Sequence, residues 1–247
     1  MIILGFSTSA WGEQPSSGAG GQSPLQTRQQ QWPEWTVPEH QPRPDADDDL
    51  FYPIWFKGLW TVESSNPDDA DDVPLRHQAR FERNTTGRIV ADRAFNAEAI
   101  GRAQFGEQLM RVEDDPSSAN RQLALFRGGR SLESKVVGRW QERINDQQFL
   151  ADELVIQIMR GRGAPRISRI ETLTNFKRWV QADDQEDDRA EVQQQPLGGQ
   201  VPRQIYPEEI YAEQWQARYP GPGETRSASP LSTSHYQLTF KPLQDQA

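Results

Sequence analysis

Residues 52–60 read YPIWFKGLW, which places Tyr52, Trp55, Phe56 and Trp60 within nine positions of a strongly polar chain. Directly upstream lies PRPDADDDL (42–50), a tract with almost nothing to bury. Apolar surface concentrated at such a border marks where a core begins, since burial of large aromatic side chains is the main favourable contribution to folding. In LWTVES (59–64), Trp60 and Val62 share one side of an alternating pattern. The stretch therefore reads as a turn leading into a first β-strand.

The same period of two recurs downstream. Leu75, His77, Ala79 and Phe81 alternate with Arg76, Gln78, Arg80 and Glu82. GRIVADR (87–93), EQLMRV (107–112) and QLALFR (122–127) continue the series, then SLESKVVGRW (131–140) with Leu132, Val136 and Trp140 in phase. Gly128 and Gly129 suit a tight hairpin between the last two. RISRIETLTNFKRWV (166–180) follows, then YAEQWQARY (211–219) with Tyr211, Trp215, Ala217 and Tyr219 in phase, and SHYQLTF (234–240) with Tyr236, Leu238 and Phe240 in phase. FLADELVIQIMRG (149–161) fits either a helix or a strand. NAEAIGRAQFG (96–106) reads as a short helix with Asn96 as its N-cap and Gly106 as its stop. The fold class is all-β: an antiparallel meander closing into a β-barrel of about 8–10 strands, with one or two short helices.

The barrel domain is expected over 51–243, with a loop insertion at about 183–204. Residues 12–50 are rich in Gln, Pro, Ser, Gly and Asp and are expected to be a disordered linker. WPEW (32–35) is the exception: its two Trp are expected to dock on the domain or, as the less favoured alternative, on a partner. MIILGFSTSAW (1–11) reads either as the truncated remnant of a secretory signal, trimmed near Ala10, or as a chance apolar tip; on the first and favoured reading the mature protein is expected to be exported. The apolar fraction of 34% is below the roughly 45–50% usual for globular chains, which agrees with a polar segment outside the core.

Several functions are disfavoured by composition. The net charge of −9 argues against nucleic-acid binding and against simple electrostatic attachment to an anionic lipid surface. With no Cys, disulfides, thiolate catalysis and Cys-ligated metals are excluded. No run approaches the ~20 apolar residues that span a bilayer. His77 and His235 lie on the first and last strands of a closing barrel and are brought near each other, yet two His without a third ligand make a weak metal site. The acidic runs DDADD (68–72) and DDQEDD (183–188) lack calcium-loop spacing and read as solvated loops. Nothing calls for a cofactor or a metal, and no catalytic residue is assigned.

Gly58–Leu59–Trp60 looks like the G-x-W entry of lipocalin-type barrels, whose Trp plugs the closed end; Lys241 stands near the chain end, where those barrels usually place an Arg. RIVADRAFN (88–96) with AIGRAQFG (99–106), YPIWFKGLW, DDPSSANRQLALFRGG (114–129), VVGRW (136–140) and IETLTNF (170–176) resembles an uncharacterised single-domain family of cyanobacteria and plant plastids. The likeness runs from about Tyr52 to Leu243, departing at Ala97, at Ala119 and in the 183–204 loop. It implies a calycin/lipocalin-like barrel in the thylakoid lumen or periplasm. It also implies a non-enzymatic accessory or assembly protein of photosynthetic membranes, with a pigment–protein complex as partner. Alternatives are a carrier of a small apolar ligand (lipid, carotenoid or tetrapyrrole) and, third, an isomerase or lyase using Asp92, Arg93 or His77.

The candidate ligand- or partner-binding residues are Asp92, Arg93, Phe95, Asn96, Ile100 and Phe105. Asp92 and Arg93, read as strand residues, face opposite sides, so one points into the barrel. Phe95 and Ile100 help the short helix cover a barrel mouth. Trp55, Gly58 and Trp60 are the structural residues of the barrel floor.

Overall fold

The computed structural model describes residues 22–38, 41–46, 48–179, 209–223 and 229–243. Among them are ten strands: β1 (Gly58–Ser65), β2 (Leu75–Arg83), β3 (Ile89–Ala91), β4 (Leu109–Asp115), β5 (Ser118–Phe126), β6 (Arg130–Asn145), β7 (Gln148–Arg160), β8 (Arg166–Trp179), β9 (Glu209–Pro220) and β10 (Ser232–Pro242). They form one sheet in the order β3-β2-β1-β10-β9-β8-β7-β6-β5-β4, with every neighbouring pair antiparallel. This is the expected meander, joined into a ring by the β1–β10 pairing and broken only between β3 and β4. The sheet curls into a half-barrel. The ambiguous 149–161 segment is strand β7, whose Val and Ile residues suit a pleated, doubly covered surface. Gly128 and Gly129 both adopt positive φ in the β5–β6 turn, a conformation that costs glycine little. Residues 1–21 and the 183–204 loop lie outside the described residues.

The opening stretch does what its aromatics suggest. A short 3-10 turn, Ile54–Phe56, precedes β1, and Trp55, Phe56 and Trp60 are all buried. Phe56 is completely enclosed, with Tyr52, Phe81 and Phe176 rings at 4.8–5.0 Å and Trp55 stacked at 4.5 Å. The indole N–H of Trp60 donates to Phe56 O at 2.7 Å and that of Trp55 to Asp146 O at 3.0 Å. The cluster thus closes the end of the half-barrel at which β6 turns into β7. Lys241 does not stack on Trp60; it pairs with Glu209.

Helix α2 (Arg93–Phe105) joins β3 to β4 and packs against β2 and β4, so it fills the one gap in the ring. Its N-cap is Asp92, whose carboxylate accepts from Phe95 N, and its stop is Gly106. The sequence reading placed the cap at Asn96 and left Asp92 and Arg93 in a strand. Both points are corrected: the strand ends at Ala91, and Asn96 lies inside the first turns, fully buried. Its side chain accepts from Arg80 N and donates to Arg80 O, so it serves the sheet edge instead of the helix end.

The segment expected to be a disordered linker departs furthest from its composition. Its described residues 22–38 and 41–46 form an arm laid across the outer face of the sheet, chiefly over β6–β9. Helix α1 (Pro24–Gln30) starts with Ser23 and Gln26 in a reciprocal capping box. Leu25 and Trp35 are buried against Leu150, Leu173, Trp215, Ala217 and Tyr219, with Trp32 beside them. Docking of the WPEW pair on the domain is thereby confirmed. A few large side chains suffice here because the sheet supplies the rest of the cluster.

The arm also settles which way two strands face. Tyr211, Trp215, Ala217 and Tyr219 do share a face, but it is the outer one under or beside the arm; Ile210, Ala212 and Gln214 face inward. In β6 a bulge between Val136 and Gly138 turns Val136 inward and Trp140 outward. Gly138 is required there: a Cβ on it would lie 2.5 Å from Oε1 of Gln41 as the arm crosses.

Trp60→Ala should cost about 3–5 kcal/mol, the range for deleting a large core aromatic. Denaturant unfolding at equilibrium measures it, and an unchanged midpoint would remove Trp60 from the core.

Candidate functional site

Above the aromatic floor the inner face encloses a cavity of about 100 Å³. Its walls alternate in origin because alternate residues of each strand face inward: Val62 and Ser64 from β1, His77, Ala79 and Phe81 from β2, Ala151 and Glu153 from β7, Thr172, Thr174 and Phe176 from β8, Gln214 from β9, and Leu238 and Phe240 from β10. Leu50 and Tyr52 enter from the chain leading to β1, and Ile100 from α2. The aromatic residues lie toward the floor. Ser64, His77, Glu153, Thr172 and Gln214 lie toward the opposite, open rim.

The polar wall is charged and only partly satisfied. Glu153 is buried and receives Arg139 Nε at 2.7 Å, while Arg139 Nη2 donates to Asn120 Oδ1 at 3.1 Å. Arg139 Nη1 and the Ser64 hydroxyl, both buried, have no hydrogen-bond partner among the described residues. Burial pushes the Glu153 carboxyl up despite the arginine beside it. Burial also lowers the pKa of His77, whose Nδ1 lies 3.0 Å from Gln78 O. Next to this wall Asp49 is pushed up to about 6, chiefly by burial and against the pull of Arg93 and Arg139.

The predicted site residues separate around this cavity. Ile100 lines it. Asp92 instead accepts from Arg80 at 2.6 Å and caps α2, and Arg80 stacks over the Phe95 ring at 4.3 Å. Arg80 alternates with the inward-facing Ala79 and Phe81, so this group belongs to the outside of the barrel. Arg93 donates to Ala119 O, and Phe105 packs edge-on against Phe126 at 5.3 Å. Asp92 and His77 thus stand on opposite faces of the sheet, and no converging acid–base set forms. His77 and His235 do not meet either. His77 faces inward, whereas His235 stacks flat on the outward Trp215. Among the described residues no group of His, Asp or Glu could hold a metal ion.

Sequence reasoning missed Ser64, Glu153, Gln214 and Arg139. One signal was present: in LADELV the adjacent Asp152 and Glu153 sit within an apolar run, so both faces of that strand bury an acid. Glu153 faces the cavity; Asp152 faces the arm and accepts from Gln41.

A family model described as a domain of unknown function (DUF6816) matches residues 64–244. Searches of characterised proteins and of solved structures return no match.

Two outcomes follow from the charges. Arg139→Ala leaves Glu153 buried without its partner and should destabilise by about 3–5 kcal/mol, whereas Arg139→Met with Glu153→Leu should recover most of that loss in chemical denaturation. Asp49 has a folded pKa above its ordinary 3.8, so between about 6 and 3.8 the folded chain holds a proton that the unfolded chain lacks. Its destabilising effect is complete above that window and is relieved as pH falls through it. Asp49→Asn should therefore raise Tm above pH 6 and lose this advantage as pH nears 3.8, as followed by scanning calorimetry.

Proposed function

The chain belongs to the family described as a domain of unknown function (DUF6816), and we propose that it is a non-catalytic binding protein that takes one small, mainly apolar group into its half-barrel. The observation that carries this reading is the cavity of about 100 Å³ with an apolar lower wall and a hydrogen-bonding upper wall. A single water needs at least ~10–15 Å³ by this measure, so the space suits roughly seven to ten non-hydrogen atoms. An isoprenoid unit or the end of an acyl chain fits. A whole carotenoid or tetrapyrrole is several times too large, so only a terminal part of such a molecule would enter. The enzyme reading gains no support, because Asp92 and Arg93 are engaged away from His77.

A second reading follows the family resemblance: an accessory or assembly protein in the thylakoid lumen or periplasm of a photosynthetic organism, serving a pigment–protein complex. It is favoured by Trp179 and Tyr211, which are 58% and 44% exposed and meet edge-on at 6.4 Å at the closed end. Exposed aromatic pairs of this kind suit a partner protein's hot spot.

Titration of methyl-labelled protein with prenol, a small isoprenoid alcohol, separates the readings. Saturable shifts at Ile100, Ala79 and Val62 are expected, and Ala151→Leu, which fills the space, should abolish them. Absence of saturation, or an unaffected Ala151→Leu variant, would refute the ligand-binding reading.

A further inference from the structure

The charge of this protein is sorted by position. The open rim is built from the β1–β2, β5–β6, β7–β8 and β9–β10 turns, since these strand ends all lie opposite the aromatic floor. Asp68, Asp69, Asp71 and Asp72 occupy the β1–β2 turn. Across the mouth, the β5–β6 and β7–β8 tips carry Arg127, Arg130, Arg160, Arg162 and Arg166. These tips touch. Ser131 pairs with Arg160, Met159 with Arg166, and a Cβ on Gly161 would stand 3.2 Å from the Arg130 side chain. Arg127 pairs with Glu107 and Arg160 with Glu133, while Arg162 and Arg166 face no carboxylate among the described residues.

We propose that this arginine corner docks the open rim onto an anionic lipid surface. The net charge of −9 does not oppose this, because charges farther off than the ~8 Å screening length at physiological salt contribute little. A tilted approach brings the β5–β8 side down and keeps the acidic turn away. Lipid is favoured over an acidic protein by single apolar side chains along the same rim, one beside the arginines and two flanking them. Met110 at the start of β4, Ile167 at the start of β8 and Leu231 ahead of β10 are all exposed, and each comes from a different strand end. Single apolar side chains spread along a rim beside cations give a protein partner no desolvated centre. They do suit shallow entry at the boundary between headgroups and acyl chains. Docking in this orientation sets the cavity mouth against the bilayer. The proposal does not depend on what the cavity holds.

Co-sedimentation of the full chain with vesicles tests it, using phosphatidylcholine alone and phosphatidylcholine mixed with phosphatidylglycerol. Binding is expected only to the anionic vesicles and should weaken as salt rises. Arg162→Glu combined with Arg166→Glu should reduce it at least ~10-fold with Tm little changed, because both are exposed and neither forms an ion pair among the described residues. Ile167→Ser should reduce it less. Equal binding to both vesicle types, or full binding by the double variant, overturns the proposal. So does retention on immobilised polyglutamate without vesicle binding, which would assign the corner to an acidic protein.

Discussion

A sheet that runs around in chain order ends in two edges, and in this molecule the fold depends on how the gap between β3 and β4 is closed. An open edge leaves backbone N–H and C=O groups without partners, which is costly wherever water is excluded. β3 covers β2 only from Phe81 to Arg83; just past it the Arg80 C=O still receives Asp92 N at 2.9 Å, but the Arg80 N–H meets no strand. There the Asn96 amide accepts from the Arg80 N–H and adds a second donor to its C=O, standing in for the strand residue that is missing. Because α2 must present Asn96 at that point, it also presents Ile100 to the interior. The helix that closes the gap therefore forms part of the cavity wall.

The inner and outer faces are supported in different ways. Inside, packed rings fill the floor and leave the upper wall to Glu153, Arg139 and Ser64, so polarity rises toward the open rim. Outside, β6–β9 carry buried acids that the arm helps to satisfy. Arg28 makes a two-point contact with Glu171, at 2.8 and 2.7 Å, and Tyr219 donates to the same carboxylate at 2.6 Å. Leu25 N–H approaches Glu142 at 3.3 Å. Removing one partner from such a contact leaves a buried charge, which costs more than the pair contributes in the intact protein. The arm is thus bound by chemistry as well as by Leu25 and Trp35.

Alternation of apolar residues made the β-meander legible, and YPIWFKGLW located the start of the barrel. What alternation cannot say is which face is inside. Trp215 and Tyr219 read as core, as they are, but their core lies beneath the arm. The arm was misread because composition averages over residues, whereas its docking rests on Leu25, Arg28, Trp32 and Trp35. Asn96 was misread for a related reason. An Asn at the head of a helical pattern signals a cap, and only the tertiary position of Arg80 assigns it elsewhere. The upper cavity wall was hidden because Ser64, Glu153 and Gln214 carry no local motif; strand register alone brings them together.

The pairing of β1 with β10 also bears on the order in which the chain folds. Val62 lies opposite Phe240, and joining residues so far apart in sequence carries a loop-closure cost that successive hairpins avoid. The run from β4 to β8 needs only neighbouring turns, whereas ring closure through β1 and β10 joins distant parts of the chain, the kind of contact that slows folding. The arm must also wait, since its binding face does not exist until β6, β7, β8 and β9 stand side by side. A chain emerging N-terminus first therefore makes its arm before the surface that will receive it, and Trp32 and Trp35 stay exposed until β9 is in place.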